Sequence, residues 1–152
     1  MNYYSTNGKV SPVTLQEAVV KGLAADKGLF MPERIKALPP AFYDNIQHLS
    51  FQEIAYTVAD AFFGEDVPAD TLKQIVYDTL SFYCPVVPVT DSIYSLELFH
   101  GPTLAFKDVG ARFMARLLGY FIRQEGQQLV NVLVATSGDT GSAVANGFLG
   151  VE

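Results

Sequence analysis

The sequence predicts an α/β fold: a mainly helical N-terminal segment over residues 1–90, then the first strand–helix–strand–helix units of an open sheet over residues 91–152. Three observations predict it. Apolar residues recur at helical spacing in three runs before Ser81, each behind a helix-start signal. After residue 90 two strand-like runs, Ile93–Phe99 and Leu129–Ala135, each lead through a glycine-containing loop into another helical pattern. The 152 residues are 49% hydrophobic and 17% charged, enough apolar content to fill one core.

The elements follow in order. Thr14 and Glu17 have capping-box spacing ahead of Leu15, Ala18, Val19 and Leu23. This first helix is expected to stop between Gly22 and Asp26, with Lys27-Gly28 turning into the short apolar run Leu29-Phe30-Met31. Pro32 and Pro39-Pro40 punctuate the next connection. Ser50 and Glu53 repeat the capping spacing before Phe51, Ile54, Ala55, Val58, Ala61 and Phe62, and Gly64 ends that second helix. Pro68, as a first helical residue, opens a third with Leu72, Ile75, Val76 and Leu80 on its buried face. Cys84 to Thr90 carries two prolines and reads as an extended connection. Ile93–Phe99 reads as a strand broken by His100-Gly101-Pro102-Thr103, and a long helix runs from about Phe106 to Arg123. Leu129–Ala135 reads as a buried parallel strand, Thr136–Thr140 as a turn, and Gly141–Phe148 as the start of another helix.

Composition narrows the function classes. Lys and Arg total 10 against 16 Asp and Glu, a net charge of −6, which argues against a protein that grips a phosphate backbone. Cys84 is the one cysteine and has no internal partner, which fits a reducing compartment. No uncharged apolar run approaches the ~18 residues of a membrane span, and the N-terminus lacks a secretory pattern. No Cys/His spacing supports a metal site. The expectation is a cytoplasmic globular protein, with no nucleic acid and no membrane, whose function composition leaves open.

Two loops carry residues suited to chemistry, and both fall where an open α/β sheet binds ligands, beyond the carboxyl ends of its strands. In the first, Lys107 stands among Leu104, Ala105, Phe106 and Val109 at a helix start. Apolar surroundings and the positive end of a helix dipole both disfavour the ammonium, which suits a lysine that acts as a neutral nucleophile. The plainer alternative is a helix-start lysine whose stem packs on apolar neighbours while its head reaches water. In the second, Ala135-Thr-Ser-Gly-Asp-Thr-Gly-Ser142 joins a strand to a helix with small residues, glycines and hydroxyls, a pattern suited to an anion. There Asp139 also reads as a simple N-cap. The ending of a triphosphate-binding loop is missing. His100 suits either a ligand contact or a structural bond to its own loop, and Phe99, Phe106 and Phe113 suit a core.

Taken together, His100-Gly-Pro-Thr-Leu-Ala-Phe-Lys107-Asp and Ala135-Thr-Ser-Gly-Asp-Thr-Gly141 resemble the threonine synthase family, within the fold-type II class of pyridoxal-phosphate enzymes. Ser5-Thr6-Asn7-Gly8 is similar to that family's Ser-Thr-Arg-Gly opening, with Asn7 in place of Arg, and Thr14 through Pro32 to its leading helix and exit. The resemblance implies that residues 91–152 begin a fold-type II open sheet. It implies a Schiff base between Lys107 and pyridoxal 5'-phosphate, with Phe106 and Asp108 flanking and positioning the lysine. Thr136, Ser137, Gly138, Thr140 and Gly141 are then expected at the substrate α-carboxylate, and Asp139 beside the cofactor's 3′-oxygen. Asp139 is the threonine-synthase form, where cysteine synthases carry Asn. The implied reaction converts O-phospho-L-homoserine and water to L-threonine and phosphate.

The resemblance also implies an N-terminal portion that is inactive alone. The family's glycine-rich loop for the cofactor phosphate is not among these residues, nor is its hydroxyl at the pyridine nitrogen. The alternatives are another fold-type II enzyme, of the cysteine synthase or serine/threonine dehydratase kind, and a truncated, non-catalytic domain. An unpaired sheet edge would make such a portion self-associate.

Overall fold

Side-chain oxygens start the helices where the sequence spacing puts them. In a computed structural model that describes residues 1–126 and 129–151, α1 (Leu15–Lys21) opens with the Thr14 hydroxyl accepting the Glu17 N–H at 3.2 Å. It closes at Gly22 with φ +69°. A complete capping box precedes α3 (Phe51–Phe63): the Glu53 N–H donates to Ser50 Oγ at 3.2 Å and the Ser50 N–H to Glu53 Oε2 at 2.7 Å. Between them lies α2 (Pro40–Asn45), with Pro40 in the first turn, where the sequence reading has only a connection. The helix α4 (Ala69–Thr79) begins one residue later than expected, because the Pro68 carbonyl accepts its first bond, from the Leu72 N–H at 2.9 Å. Leu72, Ile75, Val76 and Leu80 are all buried, as their spacing requires, whereas Phe51 and Val58 of α3 are exposed.

The chain divides into two compact units, Met1–Tyr77 and Asp78–Glu152; Glu152, the expected end of the second domain, lies outside the described residues. In the first unit β1 (Tyr3–Ser5) pairs antiparallel with β2 (Phe30–Pro32), Tyr3 opposite Pro32. Asp26 ties the loops around this pair. Its carboxylate accepts the Ser5 hydroxyl at 2.6 Å and the N–H groups of Lys9 and Gly28 at 3.0 Å, while the Asn7 amide donates to its carbonyl at 2.9 Å. The Ser5 hydroxyl first, then those N–H groups, holds the Asp26 carboxyl below the usual carboxylate range.

In the second unit β3 (Val86–Thr90) and β4 (Ile93–Leu96) form an antiparallel hairpin, Val86 opposite Leu96, with a register shift between Pro88 and Thr90. The sequence reading has β3 as a mere connection, because proline is a poor ladder former; here Pro88 stands beside the irregularity. Two helices follow, α5 (Lys107–Glu125) and α6 (Asp139–Gly147). Arg112 of α5 reaches back to the Thr79 carbonyl at 3.0 Å, the Asp78 carbonyl at 2.6 Å and the Ser81 hydroxyl at 2.9 Å, which anchors the helix.

The α/β class and the helix order agree with the sequence, but the expected parallel strand does not form. Residues 129–135 join no ladder, and both sheets among the described residues are two-stranded and antiparallel. An apolar parallel strand is stable only with strands on its edges and helices on its faces. The described residues supply neither to this segment, and Leu133 is 93% exposed.

Candidate functional site

The loop before α5 is built around a buried carboxylate. Asp108 is fully buried, and it accepts the Thr103 N–H at 2.9 Å and the Thr103 hydroxyl at 2.7 Å. Gly101 packs against the same group so closely that a Cβ there would stand 2.5 Å from Asp108 Oδ2. Phe106 takes the cap position of α5, and Lys107 is its first residue. The Lys107 ammonium lies 4.7 Å from the centre of the Phe106 ring, a cation–π contact. His100 pairs with the Glu97 carboxylate at 2.7 Å and packs on Phe99, so both of its ring contacts lie within its own loop.

The loop before α6 is built around a hydroxyl. Thr136 Oγ1 accepts the Gly138 N–H at 3.2 Å and the Gly141 N–H at 2.9 Å. Gly138 takes the cap position with φ +143°, a conformation open to glycine, and Asp139 is therefore the first helical residue rather than the cap. With Gly141 committed to Thr136, helix geometry leaves the Asp139 and Thr140 N–H groups without intrahelical acceptors. Such a turn favours an anion.

Small residues let α5 and α6 approach. Ala111, Ala115, Ala143 and Gly147 are buried, and a Cβ on Gly147 would meet the Ala111 carbonyl oxygen at 2.9 Å. This packing opens a cleft of about 300 Å³ lined by Phe106, Lys107, Gly110, Ala111, Met114, Thr140 and Val144. Of the residues singled out from sequence, Lys107, Phe106 and Thr140 share the cleft. Thr136, Gly138 and Gly141 form the turn at one end of α6. Ser137 and Asp139 are exposed and stand outside the lining, and Asp108 lies behind the lysine with its carboxylate turned to Thr103.

Sequence reasoning missed Gly110, Ala111, Met114 and Val144 as cleft residues. The signal was available: Lys107, Gly110, Ala111 and Met114 follow i, i+3, i+4, i+7 on one helix face, as Thr140 and Val144 follow i, i+4 on another. Among the described residues no group of three or more His, Cys, Asp or Glu is arranged to hold a metal, and no helix is long and apolar enough to cross a membrane.

A sequence profile described as threonine synthase N terminus matches residues 2–80. The threonine synthase of Serratia marcescens is 41% identical over the whole chain, and that of Haemophilus influenzae 42%. The chain spans about a third of the length of these curated relatives, 35% of each. Among solved structures, the pyridoxal-phosphate-bound threonine synthase of Brucella melitensis superposes with a TM-score of 0.92 at 35% identity, covering 100% of this chain and 34% of that one. The Escherichia coli threonine synthase gives 0.88 at 38% identity, covering 99% and 35%.

Proposed function

This chain belongs to the threonine synthase N-terminal family, and from that premise we propose that it supplies the lysine and the anion loop of an enzyme converting O-phospho-L-homoserine and water to L-threonine and phosphate. The observation that supports the reading best is the sharing of one cleft by Lys107 of α5 and Thr140 of α6.

The residues present suit pyridoxal 5'-phosphate. An aldehyde on a flat aromatic ring needs an amine beside an apolar wall, and here Lys107 borders a cleft whose other lining includes Phe106, Ala111, Met114 and Val144. When bound, the cofactor supplies an electron sink for charge that develops on the substrate carbon skeleton. The chain's own residues do the rest. Lys107 holds the cofactor through its amine and carries protons at the substrate's Cα. The turn Thr136–Gly141 holds the α-carboxylate through N–H groups and hydroxyls, those of Ser137 and Thr140 included. Asp139, at the start of α6, would serve the cofactor's ring oxygen, and Asp108 and Phe106 orient the lysine. In this reading residues 1–90 form the helical subdomain and residues 91–152 begin the cofactor domain of a cytoplasmic enzyme. The 152 residues do not complete turnover alone, and they self-associate through exposed apolar residues such as Leu129 and Leu133.

The experiment is labelling of the full chain with pyridoxal phosphate followed by borohydride, with the label located by mass spectrometry. It is expected on Lys107 in preference to exposed Lys21, and to vanish from that position in Lys107→Ala. Phosphate release from O-phospho-L-homoserine by the chain alone is expected at background, and light scattering is expected to show particles larger than one chain. Labelling of Lys107 no faster than of Lys21 would sink the assignment. Turnover of O-acetylserine or threonine would redirect it to another enzyme of the same class.

A further inference from the structure

We propose that Thr103 is a positioning residue for Lys107, acting through Asp108; the inference rests on the function proposed above. Thr103 lies in the loop ahead of α5 and lines no part of the cleft, yet it is tied twice to the residue that follows the lysine. Its N–H and its hydroxyl both donate to the buried Asp108 carboxylate, at 2.9 and 2.7 Å. Both bonds are short and end on a side chain that is itself fully buried, where water does not compete for its oxygens.

A second observation shows that the loop is held rather than relaxed. Leu104, directly after Thr103, has φ +57°, a backbone conformation that a leucine rarely adopts. Leu104 is 75% exposed, so packing of its side chain is not what enforces the conformation. The flanking backbone enforces it instead: the Leu104 N–H donates to the Gly101 carbonyl at 3.0 Å, and Thr103 is clamped to Asp108. Gly101 completes the clamp, since only a residue without a Cβ fits against that carboxylate. The Asp108 N–H in turn donates to the Ala105 carbonyl at 3.0 Å, which closes the turn that carries Phe106 and Lys107 into α5.

Any movement of Asp108 turns the neighbouring Lys107 and its placement over the Phe106 ring. Losing the Thr103 hydroxyl removes one side of the clamp, lets Leu104 relax toward negative φ, and swings the lysine amine away from its place in the cleft. A serine at 103 keeps both donors and preserves that placement.

The test compares the full chain with Thr103→Val and Thr103→Ser, each labelled by pyridoxal phosphate and borohydride, with Lys21, whose side chain is 55% exposed, as the internal reference. Thr103→Val is expected to lower the ratio of Lys107 to Lys21 labelling about tenfold, the scale on which misplacement of a reacting group acts, with Thr103→Ser within about twofold of the unmodified chain. A folded Thr103→Val chain with an unchanged ratio overturns the proposal, as does a Thr103→Ser chain that loses as much as the valine variant. Should the valine variant lose its helical circular dichroism, amide exchange in the unmodified chain decides. The Thr103 N–H is expected to be protected about 100-fold against an open amide, and exchange at the open rate overturns the clamp. An unmodified chain in which Lys107 labels no faster than Lys21 sinks the functional reading and this inference together. Fast labelling that Thr103→Val leaves intact sinks the inference alone.

Discussion

Two loops deliver the chain into the two helices that flank the cleft, and each is closed by one side chain accepting two hydrogen bonds. Before α5 the acceptor is the buried carboxylate of Asp108, with Gly101 pressed against it. Before α6 it is the exposed hydroxyl of Thr136, bonded to backbone N–H groups of its own turn. The Asp108 group is sheltered from water along with its bonds, whereas the Thr136 hydroxyl stays open to solvent that competes for its N–H partners. The difference assigns rigidity to the α5 side of the cleft and compliance to the α6 side. On the function proposed above, the amine needs a fixed direction, whereas a turn that wraps a carboxylate gains from the freedom to close on it.

The comparison breaks most visibly at Asp108. Replacing it with alanine leaves the Thr103 N–H and hydroxyl facing a cavity and is expected to destabilise the chain by roughly 2–4 kcal/mol in urea unfolding. Asp108→Asn, which keeps one acceptor oxygen, is expected to recover part of that loss. A loss in Asp108→Ala as small as that of an ordinary surface substitution would mean that the loop is not held by its carboxylate. The corresponding change on the other side, Thr136→Val, removes an exposed hydroxyl that accepts two N–H groups and is expected to cost about 1 kcal/mol. Its effect is local: amide exchange speeds up in the first turn of α6 and stays unchanged in α5. Equal losses at the two positions would erase the distinction between a rigid and a compliant loop.

The difference between the loops is also where the sequence stops being readable. Both capping residues of the first unit, Thr14 and Ser50, announce themselves by a Glu three positions on, because the cap and its partner are local. The buried face of α4 is legible for the same reason, as spacing alone sets it. Lys107 is legible as a helix-start lysine among apolar neighbours, and Thr136–Thr140 as a turn that leads into a helix. What spacing does not convey is which oxygen closes each turn. Asp139 reads as the cap of α6, yet Gly138 takes that position and Thr136, earlier in the chain, satisfies the turn, because a glycine at φ +143° lets the backbone fold back on a threonine. Asp108 reads as a flank to the lysine, while its burial depends on the path of Gly101 and Thr103. The strand expected over 129–135 fails for a related reason. Apolar density marks a segment that wants partners, and the partners themselves lie elsewhere in sequence.

Asp26 sharpens the comparison, since it is a carboxylate like Asp108 but is only half-buried, in the first unit. The Ser5 hydroxyl at 2.6 Å is the main reason its carboxyl lies below the usual range. A depressed carboxylate stabilises the fold above its unfolded value of about 4 and loses that contribution as pH falls through its folded value. Ser5→Ala brings the folded value back toward the unfolded one and so removes part of a contribution that exists only where Asp26 is charged. The gap in melting temperature between the unmodified chain and Ser5→Ala is therefore expected to be widest at neutral pH and to narrow below about pH 4. The change is smaller than either loop substitution, because water already reaches this carboxylate and screens it. A gap that stays constant from neutral pH down to pH 3 would show that Ser5 contributes by packing alone. Narrowing would mark Asp26 as a hub that acid opens.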